Sequence, residues 1–236
     1  MQTSKAISSA QILGQTQEHL CHISDRVAIH HEMKLPFQAM VLAAKKDGIE
    51  LVIASGFRSF ERQLQIWNNK FSGKTAIKDS VGNTIDSKVL TSTQLLHSIL
   101  LFSALPGASR HHWGCDIDVY APNLLPDGYQ LQLEPSEYSE QGPMAKLSIW
   151  LSEHASEFGF YLPYANYHGG VAQEPWHLSY APLAQRYHKA FNITLLRNAI
   201  DNSDIIGKEV ILANIEDIAK RYINNICSTP ANIDLT

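Results

Sequence analysis

Residues 109–120 read SRHHWGCDIDVY and set imidazole and carboxylate side chains around a single glycine. The final DIDVY alternates acidic with β-branched residues, which predicts a β-strand. His111 and Asp118 are suitable zinc ligands, but on a regular strand their odd spacing would direct the side chains to opposite faces. We therefore expect His111 to precede the strand, with Gly114 permitting the bend that brings it back beside Asp118.

Residues 174–180 read EPWHLSY and supply the groups that the first stretch lacks. Pro175 disfavours a helix interior and favours an extended segment. A catalytic zinc site uses three protein ligands and leaves one position open, and His177 would be the third ligand. Glu174 could then accept a proton from a metal-activated water as general base.

Several neighbouring residues leave alternatives open. His112 is an alternative ligand next to His111. Asp116 shares a strand face with Asp118, so it could bind the metal, orient a ligand or lie at a cleft rim. Cys115 has no CxxC partner and is expected to be a small packing residue. Residues 30–32 begin like a zinc-binding HExxH helix but lack the second histidine, so we expect a surface turn there.

The composition limits the class of protein. The chain has 236 residues, a net charge of -4 and 3 cysteines. No basic region suggests nucleic-acid binding, and no apolar run reaches the roughly 20 residues of a membrane span. Few, scattered cysteines are typical of reduced thiols. No signal peptide is recognisable, so the sequence as written predicts a cytoplasmic protein, or a periplasmic or cell-wall protein if a signal was removed.

Helical periodicity over residues 35–46, followed by an apolar run over 49–55, predicts a helix and then a strand. Ser59 can cap a helix over residues 60–70. Arg58 would then lie at a strand-to-helix corner, a position that often faces a cleft. A paired surface arginine is the alternative.

The remaining segments are predicted less regularly. A loop-rich stretch over 71–108 could form a wall of the cleft or a surface excursion. A short strand over 129–133 and a helix over 142–158 follow. Apolar residues at helical spacing predict an amphipathic C-terminal helix, namely Ile211, Ile215, Ile218 and Tyr222. We divide the chain into an N-terminal arm (1–35), a central domain (36–182) and a helical extension packed on it (183–236).

Three ordered motifs resemble those of the D-alanyl-D-alanine carboxypeptidase and dipeptidase family of zinc peptidases, which includes the vancomycin-resistance carboxypeptidases. The pattern S-x-H-x-x-G-x-A-x-D is matched by Ser109, His111, Gly114 and Asp118. The pattern E-x-W-H is matched by Glu174, Trp176 and His177, and S-G-Y/F-R-S by residues 55–59. The resemblance covers about residues 41–180. It departs at the alanine of the first pattern, which is Asp116 here.

The resemblance implies an α+β fold in which a small antiparallel sheet, flanked by helices, carries the zinc ligands. It implies one zinc ion per chain, and the ligands would be His111, Asp118 and His177. Glu174 would activate water and protonate the leaving amine, Arg58 would bind substrate or stabilise the oxyanion, and Ser109 would contact substrate.

The implied reaction is hydrolysis of the terminal D-Ala-D-Ala-type bond of a peptidoglycan peptide or muropeptide. Family alternatives are L,D-carboxypeptidase, D,D-dipeptidase and endopeptidase activity, and Asp116 or the 71–108 segment could set that choice. A non-catalytic cell-wall-binding module is a further alternative, although such a module would be expected to lack a ligand or the base.

Overall fold

The computed structural model describes residues 6–80 and 82–235. Its strands are β1 (Leu20–Ser24), β2 (Val27–His30), β3 (Val52–Ser55), β4 (Ile77–Lys78), β5 (Thr84–Ile85), β6 (Asp116–Tyr120), β7 (Phe160–Tyr161) and β8 (His177–Tyr180). Its α-helices are α1 (Ser9–Ile12), α2 (Lys34–Lys46), α3 (Phe60–Phe71), α4 (Ser92–Leu100), α5 (Ala145–His154), α6 (Ala181–Ala190), α7 (Ile193–Asp201), α8 (Lys208–Ala213) and α9 (Ile215–Ile218).

A four-stranded sheet in the order β3-β6-β8-β7 lies at the centre, and every neighbouring pair is antiparallel. The β1–β2 and β4–β5 pairs form separate two-stranded ribbons. This small antiparallel sheet with flanking helices confirms the α+β class predicted from the sequence. None of the helices in the described part of the chain is long and apolar enough to cross a membrane.

Acidic and apolar residues alternate along β6, so one face of the sheet is apolar and the other carries carboxylates. Ile117 and Val119 are fully buried in an apolar core that also contains Met40 of α2 and Leu147 of α5. A second apolar cluster joins α3 and α4 to the C-terminal helices. Because successive strand residues point to opposite faces, the acidic residues of β6 face away from the first core.

The local predictions agree with the structure in most segments. Ser59 caps α3 by accepting a hydrogen bond from the Arg62 amide. The apolar residues that recur at helical spacing near the C-terminus are also buried, as predicted. The single helix predicted there is, however, divided into α8, α9 and a π-helical turn over Ala219–Ile223. The four residues at this spacing, Ile211, Ile215, Ile218 and Tyr222, are all buried in the second cluster.

The strand predicted over residues 129–133 is wrong. The amides of Gln132 and Glu134 both donate to the carboxylate of Glu137, 2.9 Å away in each case, instead of to a neighbouring strand. Leu133 between them has a φ of 55°, which a strand does not allow. A buried carboxylate three residues further along the chain therefore determines this loop.

The N-terminal residues contribute to the same core. Ile29 of β2 and Met33 are fully buried in the first cluster. The division of the chain at residues 35 and 182 stays a prediction.

Gly114 permits the close approach of the β1–β2 ribbon to the segment before β6. Its φ is +71°, and an added Cβ would lie 2.5 Å from Leu20 Cδ2 and 3.0 Å from the amide nitrogen of His30. The His30 amide also donates to the Gly114 carbonyl at 2.7 Å. A side chain here would therefore meet both backbone strain and a steric clash.

We expect Gly114→Ala to lower the free energy of unfolding by more than the about 1–3 kcal/mol that left-handed strain alone costs. Gly128→Ala is the matched control, because Gly128 has a φ of +74° with no atom within 4 Å of an added Cβ. Urea denaturation of both variants measures the difference. Equal losses would contradict the close-packing role of Gly114.

Candidate metal centre and active site

Pairing of β6 with β8 places Asp118 directly opposite His177. Opposed residues of an antiparallel pair project from the same face of the sheet. Asp118 Oδ1 lies 3.3 Å from His177 Nδ1. Asp116, two residues earlier on β6 and therefore on the same face, is opposite Ser179.

His111 reaches this face from a 3-10 turn over Arg110–Trp113 that ends at Gly114. Its Nδ1 lies 3.0 Å from the carbonyl oxygen of Gly56, which can only accept a hydrogen bond. His111 therefore donates through Nδ1, and the lone pair of Nε2 is directed at Asp118 Oδ2, 3.4 Å away. The ligand atoms of His111, Asp118 and His177 all lie within 4.8 Å of one another.

The donor set fits a metal ion. Ligands about 2.0–2.1 Å from a tetrahedral zinc would be roughly 3.4 Å apart, close to the 3.4 Å and 3.3 Å nitrogen–oxygen separations at Asp118. Asp118 Oδ1 is buried and has no hydrogen-bond partner. A buried carboxylate without a hydrogen bond on one oxygen, placed between two imidazoles, is suited to binding a cation.

The electrostatics of the site also favour a cation. Burial alone would raise the pKa of Asp118, but His111 and His177 outweigh it and lower this pKa below its ordinary range. Burial alone would lower the pKa of His177, but the carboxylates of Asp116, Asp118 and Glu174 raise it well above its ordinary value. Without metal, the site therefore attracts a proton to His177.

Glu174 lies beside the cluster on its open side. Its Oε2 is 3.5 Å from His177 Nδ1, and its side chain is 13% exposed. The Glu174 amide donates to the Tyr164 carbonyl at 3.0 Å, and the Tyr164 ring packs edge-on against His177 with centroids 5.0 Å apart. The carboxylate is thus fixed next to the candidate metal ligands while remaining reachable from the cleft.

Arg58 lies at the predicted corner between β3 and α3. Its guanidinium donates to Gln63 Oε1 at 3.0 Å and to Ser55 Oγ at 3.1 Å, and its amide donates to the His111 carbonyl at 3.1 Å. Burial lowers its pKa, while Asp118 and Glu174 raise it. Arg58 is therefore a fixed, half-buried cation facing the candidate site, not a paired surface arginine.

The predicted site residues share one cleft with a volume of about 500 Å³. The cleft is lined by Arg58, Ser109, His111, Asp118, Glu174 and His177. Residues of the 71–108 segment line it too, so the prediction of a cleft wall is confirmed. Lys78 of this segment forms an ion pair with Glu134, which joins two sides of the cleft.

The alternative ligand His112 is wrong. Its Nδ1 donates to the Arg58 carbonyl at 2.6 Å, and its Nε2 accepts from the Gly107 amide at 2.9 Å. Both ring nitrogens are used, and burial lowers the pKa of His112 to about 3, so the ring is neutral. His112 stabilises the corner that carries Arg58.

Two further expectations concern residues outside the cluster. Cys115 is fully buried in the first core, and burial raises its thiol pKa, so its packing role is confirmed. Ligand atoms of His30, His31 and Glu32 come close together. However, His30 Nδ1 accepts from the Glu32 amide, and the Glu32 carboxylate pairs with Arg186 at 3.2 Å. The expected surface turn is therefore right for His31 and Glu32, which are exposed in a 3-10 turn, but wrong for His30, which is the buried last residue of β2.

Lys70 is a cleft residue that sequence reasoning missed. It lies in the last turn of α3, and its Nζ donates to Ser103 Oγ at 2.5 Å. Burial and the nearby Arg58 lower its pKa, whereas Glu174 raises it. The signal in the sequence was its position seven residues after Gln63 on one predicted helix, a spacing that places both on the same face.

Comparison with known proteins identifies the class. A family model described as VanY, D-alanyl-D-alanine carboxypeptidase, matches residues 26–183. An uncharacterized protein of Haemophilus influenzae is 40% identical over 121 residues, which are 50% of this chain and 92% of that protein. A D-alanyl-D-alanine carboxypeptidase of Enterococcus faecalis is 29% identical over 141 residues, 58% of this chain and 42% of that protein.

Solved structures share the fold. VanYB in complex with D-alanine-D-alanine superposes with a TM-score of 0.53 and 24% identity, over 80% of this chain and 92% of that one. A mutant of the vancomycin-resistance D,D-pentapeptidase VanY in complex with Zn(II) gives a TM-score of 0.50 and 25% identity, over 75% and 89% of the two chains.

The fold and the matches define a peptidase of the carboxypeptidase class. The chain belongs to the VanY D-alanyl-D-alanine carboxypeptidase family, as the sequence motifs predicted. The roles of the individual site residues stay predictions.

Zinc affinity should depend on pH in a defined direction. A ligating imidazole nitrogen must give up its proton. Because the pKa of metal-free His177 is raised above 6.5, zinc must displace a proton over a range that extends above pH 6.5. We expect the affinity to rise about tenfold per pH unit until that pKa is passed.

Competition with a chromophoric chelator, corrected for the chelator's own protonation, measures this dependence. A corrected affinity that stays constant between about pH 6 and 8 would contradict the proton competition at His177.

Proposed function

We propose that this protein is a zinc-dependent D,D-carboxypeptidase that hydrolyses the terminal D-Ala-D-Ala-type bond of peptidoglycan peptides. The observation that carries the proposal is the convergence of His111, Asp118 and His177, with Glu174 beside them, on one wall of a cleft. Support for the metal comes from a VanY neighbour solved with Zn(II), and support for the substrate from one solved with D-alanine-D-alanine.

In this proposal zinc would be held by His111 Nε2, an oxygen of Asp118 and His177 Nδ1. Bound zinc supplies Lewis acidity, which polarises a carbonyl and makes water more acidic. Each histidine would donate a hydrogen bond from the N–H of its other ring nitrogen to a fixed acceptor. The acceptor is the Gly56 carbonyl oxygen for His111 and Asp116 Oδ1 for His177. The orientation of both imidazoles is thereby set before metal binds.

Glu174 is the proposed general base and acid. Its carboxylate lies next to His177 Nδ1, and this position supports a role in accepting a proton from an attacking water. As the carbon–nitrogen bond of the peptide breaks, the same group, now protonated, gives its proton to the nitrogen of the leaving amine. Arg58, held by Gln63 and Ser55, would bind substrate or stabilise charge on the attacked carbonyl oxygen. Ser109, which lines the cleft, would contact the substrate.

Removal of the base should separate metal binding from catalysis. We expect Glu174→Ala to lower kcat by roughly 10²–10⁴-fold, the usual contribution of general acid–base catalysis, while zinc stays bound at one ion per chain. Elemental analysis and release of D-Ala from a pentapeptide ending in D-Ala-D-Ala measure the two quantities. Glu140→Ala is the control, because Glu140 is exposed. Full activity of Glu174→Ala would remove Glu174 from the mechanism.

The same assay separates related activities. Mass spectrometry of the products distinguishes release of one D-Ala, release of the D-Ala-D-Ala dipeptide, cleavage of an L,D bond and cleavage of a cross-link. Only the first product supports the proposal as stated. A zinc-loaded protein that cleaves none of these substrates would support a non-catalytic binding module.

The charge of the cleft supports an exopeptidase. Arg58 and Lys70 both line the cleft, and burial, followed by the positive charge of the nearby Arg58, lowers the pKa of Lys70. A free C-terminal carboxylate of the substrate would compensate this positive charge. Cleavage inside a chain would offer no such group at that position. We therefore propose that Lys70 binds the terminal carboxylate.

We expect Lys70→Met to raise the KM for a peptide with a free C-terminus by about 10- to 100-fold, as for loss of a hydrogen bond to a charged group. The KM for the corresponding C-terminal amide should change much less. Lys74→Met is the matched control, because Lys74 is exposed and lies four residues further along. An equal effect on acid and amide would contradict the carboxylate role.

A further inference from the structure

Asp116 stands where the family pattern has alanine, and it is fully buried. A lone buried carboxylate is costly unless it is paired and hydrogen-bonded. Its position on β6, opposite Ser179 and two residues before Asp118, directs it to the face that carries the candidate ligands. The substitution of a small apolar residue by a buried acid therefore needs a partner on this face.

Arg110 is that partner. Its Nε donates to Asp116 Oδ1 at 2.6 Å, and both side chains are buried. The guanidinium also donates to Ser179 Oγ at 2.6 Å and to Tyr161 Oη at 3.3 Å, and it lies over the Trp113 ring at 4.8 Å from the centroid. The pair is thus compensated in charge and fixed on several sides.

The same oxygen of Asp116 also contacts His177. Asp116 Oδ1 lies 3.1 Å from His177 Nε2, on the opposite side of the ring from the metal-facing nitrogen. A carboxylate that is already paired with Arg110 accepts this hydrogen bond, so His177 carries its proton on Nε2. When His177 is neutral, which is the form that can bind a metal, the lone pair of Nδ1 is directed at Asp118 and Glu174.

The two histidines are consequently oriented by different kinds of hydrogen-bond acceptor. His111 donates to a backbone carbonyl, that of Gly56. His177 donates to a carboxylate whose own position is set by Arg110, the residue immediately before His111. The Arg110–Asp116 pair therefore connects the turn that carries one candidate ligand to the strands that carry the other two.

We propose that the buried Arg110–Asp116 pair is a positioning unit for His177, which fixes its tautomer and ring orientation for zinc. This inference rests on the proposed zinc site. Neither residue binds the metal in this account, and both act on it through His177. Loss of a group that orients a metal-bound histidine typically costs about 10- to 100-fold in metal affinity.

The test compares zinc affinity with stability in four variants. Asp116→Ala should weaken zinc binding about 10- to 100-fold and also destabilise the protein, because Arg110 is left buried without its partner. The double variant Arg110→Met/Asp116→Ala removes both charges. We expect its stability to recover toward wild type while its zinc affinity stays as low as that of Asp116→Ala.

Asp116→Asn separates geometry from charge. Arg110 Nε and His177 Nε2 both contact Oδ1, and the asparagine side chain retains an oxygen that can take this place. We expect its zinc affinity to stay closer to wild type than to Asp116→Ala. Glu137→Gln is the control, because Glu137 is buried and accepts two backbone hydrogen bonds away from His177, so it should lose stability without losing zinc affinity.

Zinc affinity is measured by chelator competition, stability of the metal-free protein by urea unfolding, and ligand geometry by the visible absorption of the Co²⁺-substituted protein. Weakened zinc binding and an altered Co²⁺ spectrum in the double variant support positioning. Zinc affinity that recovers together with stability in the double variant, or is unchanged in Asp116→Ala, would overturn it and leave a purely structural ion pair. A wild-type protein that binds no zinc would instead overturn the proposed function itself.

Discussion

The antiparallel pairing of β6 with β8 is the constraint on which the site depends. In this register Asp118 faces His177, and Asp116 faces Ser179. A shift of β6 by one residue would turn each of its side chains to the other face of the sheet. The carboxylates of Asp116 and Asp118 would then be buried in the first apolar core. Burial of Ile117 and Val119 on one face of β6 therefore keeps Asp116 and Asp118 on the other face, where the site lies.

The site combines segments that are far apart in the chain. The turn before β6 supplies His111, the β3–α3 corner supplies Arg58, and the loop before β8 supplies Glu174. Backbone contacts hold them together, since Arg58 N donates to the His111 carbonyl and the Arg58 carbonyl accepts from His112. The chemistry of the cleft thus relies on hydrogen bonds between loops that the central sheet anchors.

The sequence identified the parts of this arrangement that are local. Strand alternation predicted that Asp116 and Asp118 share a face, and the odd spacing required His111 to precede the strand. The partners of Asp116 could not be predicted, because Arg110 lies in a 3-10 turn whose direction depends on the packing around Gly114. Lys70 was missed for a similar reason: its proximity to Arg58 appears only once α3 and its neighbours are assembled.

The most direct test of the account is the structure of the zinc-loaded protein with anomalous diffraction at the zinc edge. We predict one ion bound by His111 Nε2, an Asp118 oxygen and His177 Nδ1, with zinc–nitrogen distances of about 2.0–2.1 Å and an open fourth position beside Glu174. A zinc ion bound elsewhere, or bound through His177 Nε2 with Asp116 displaced, would contradict the central claim.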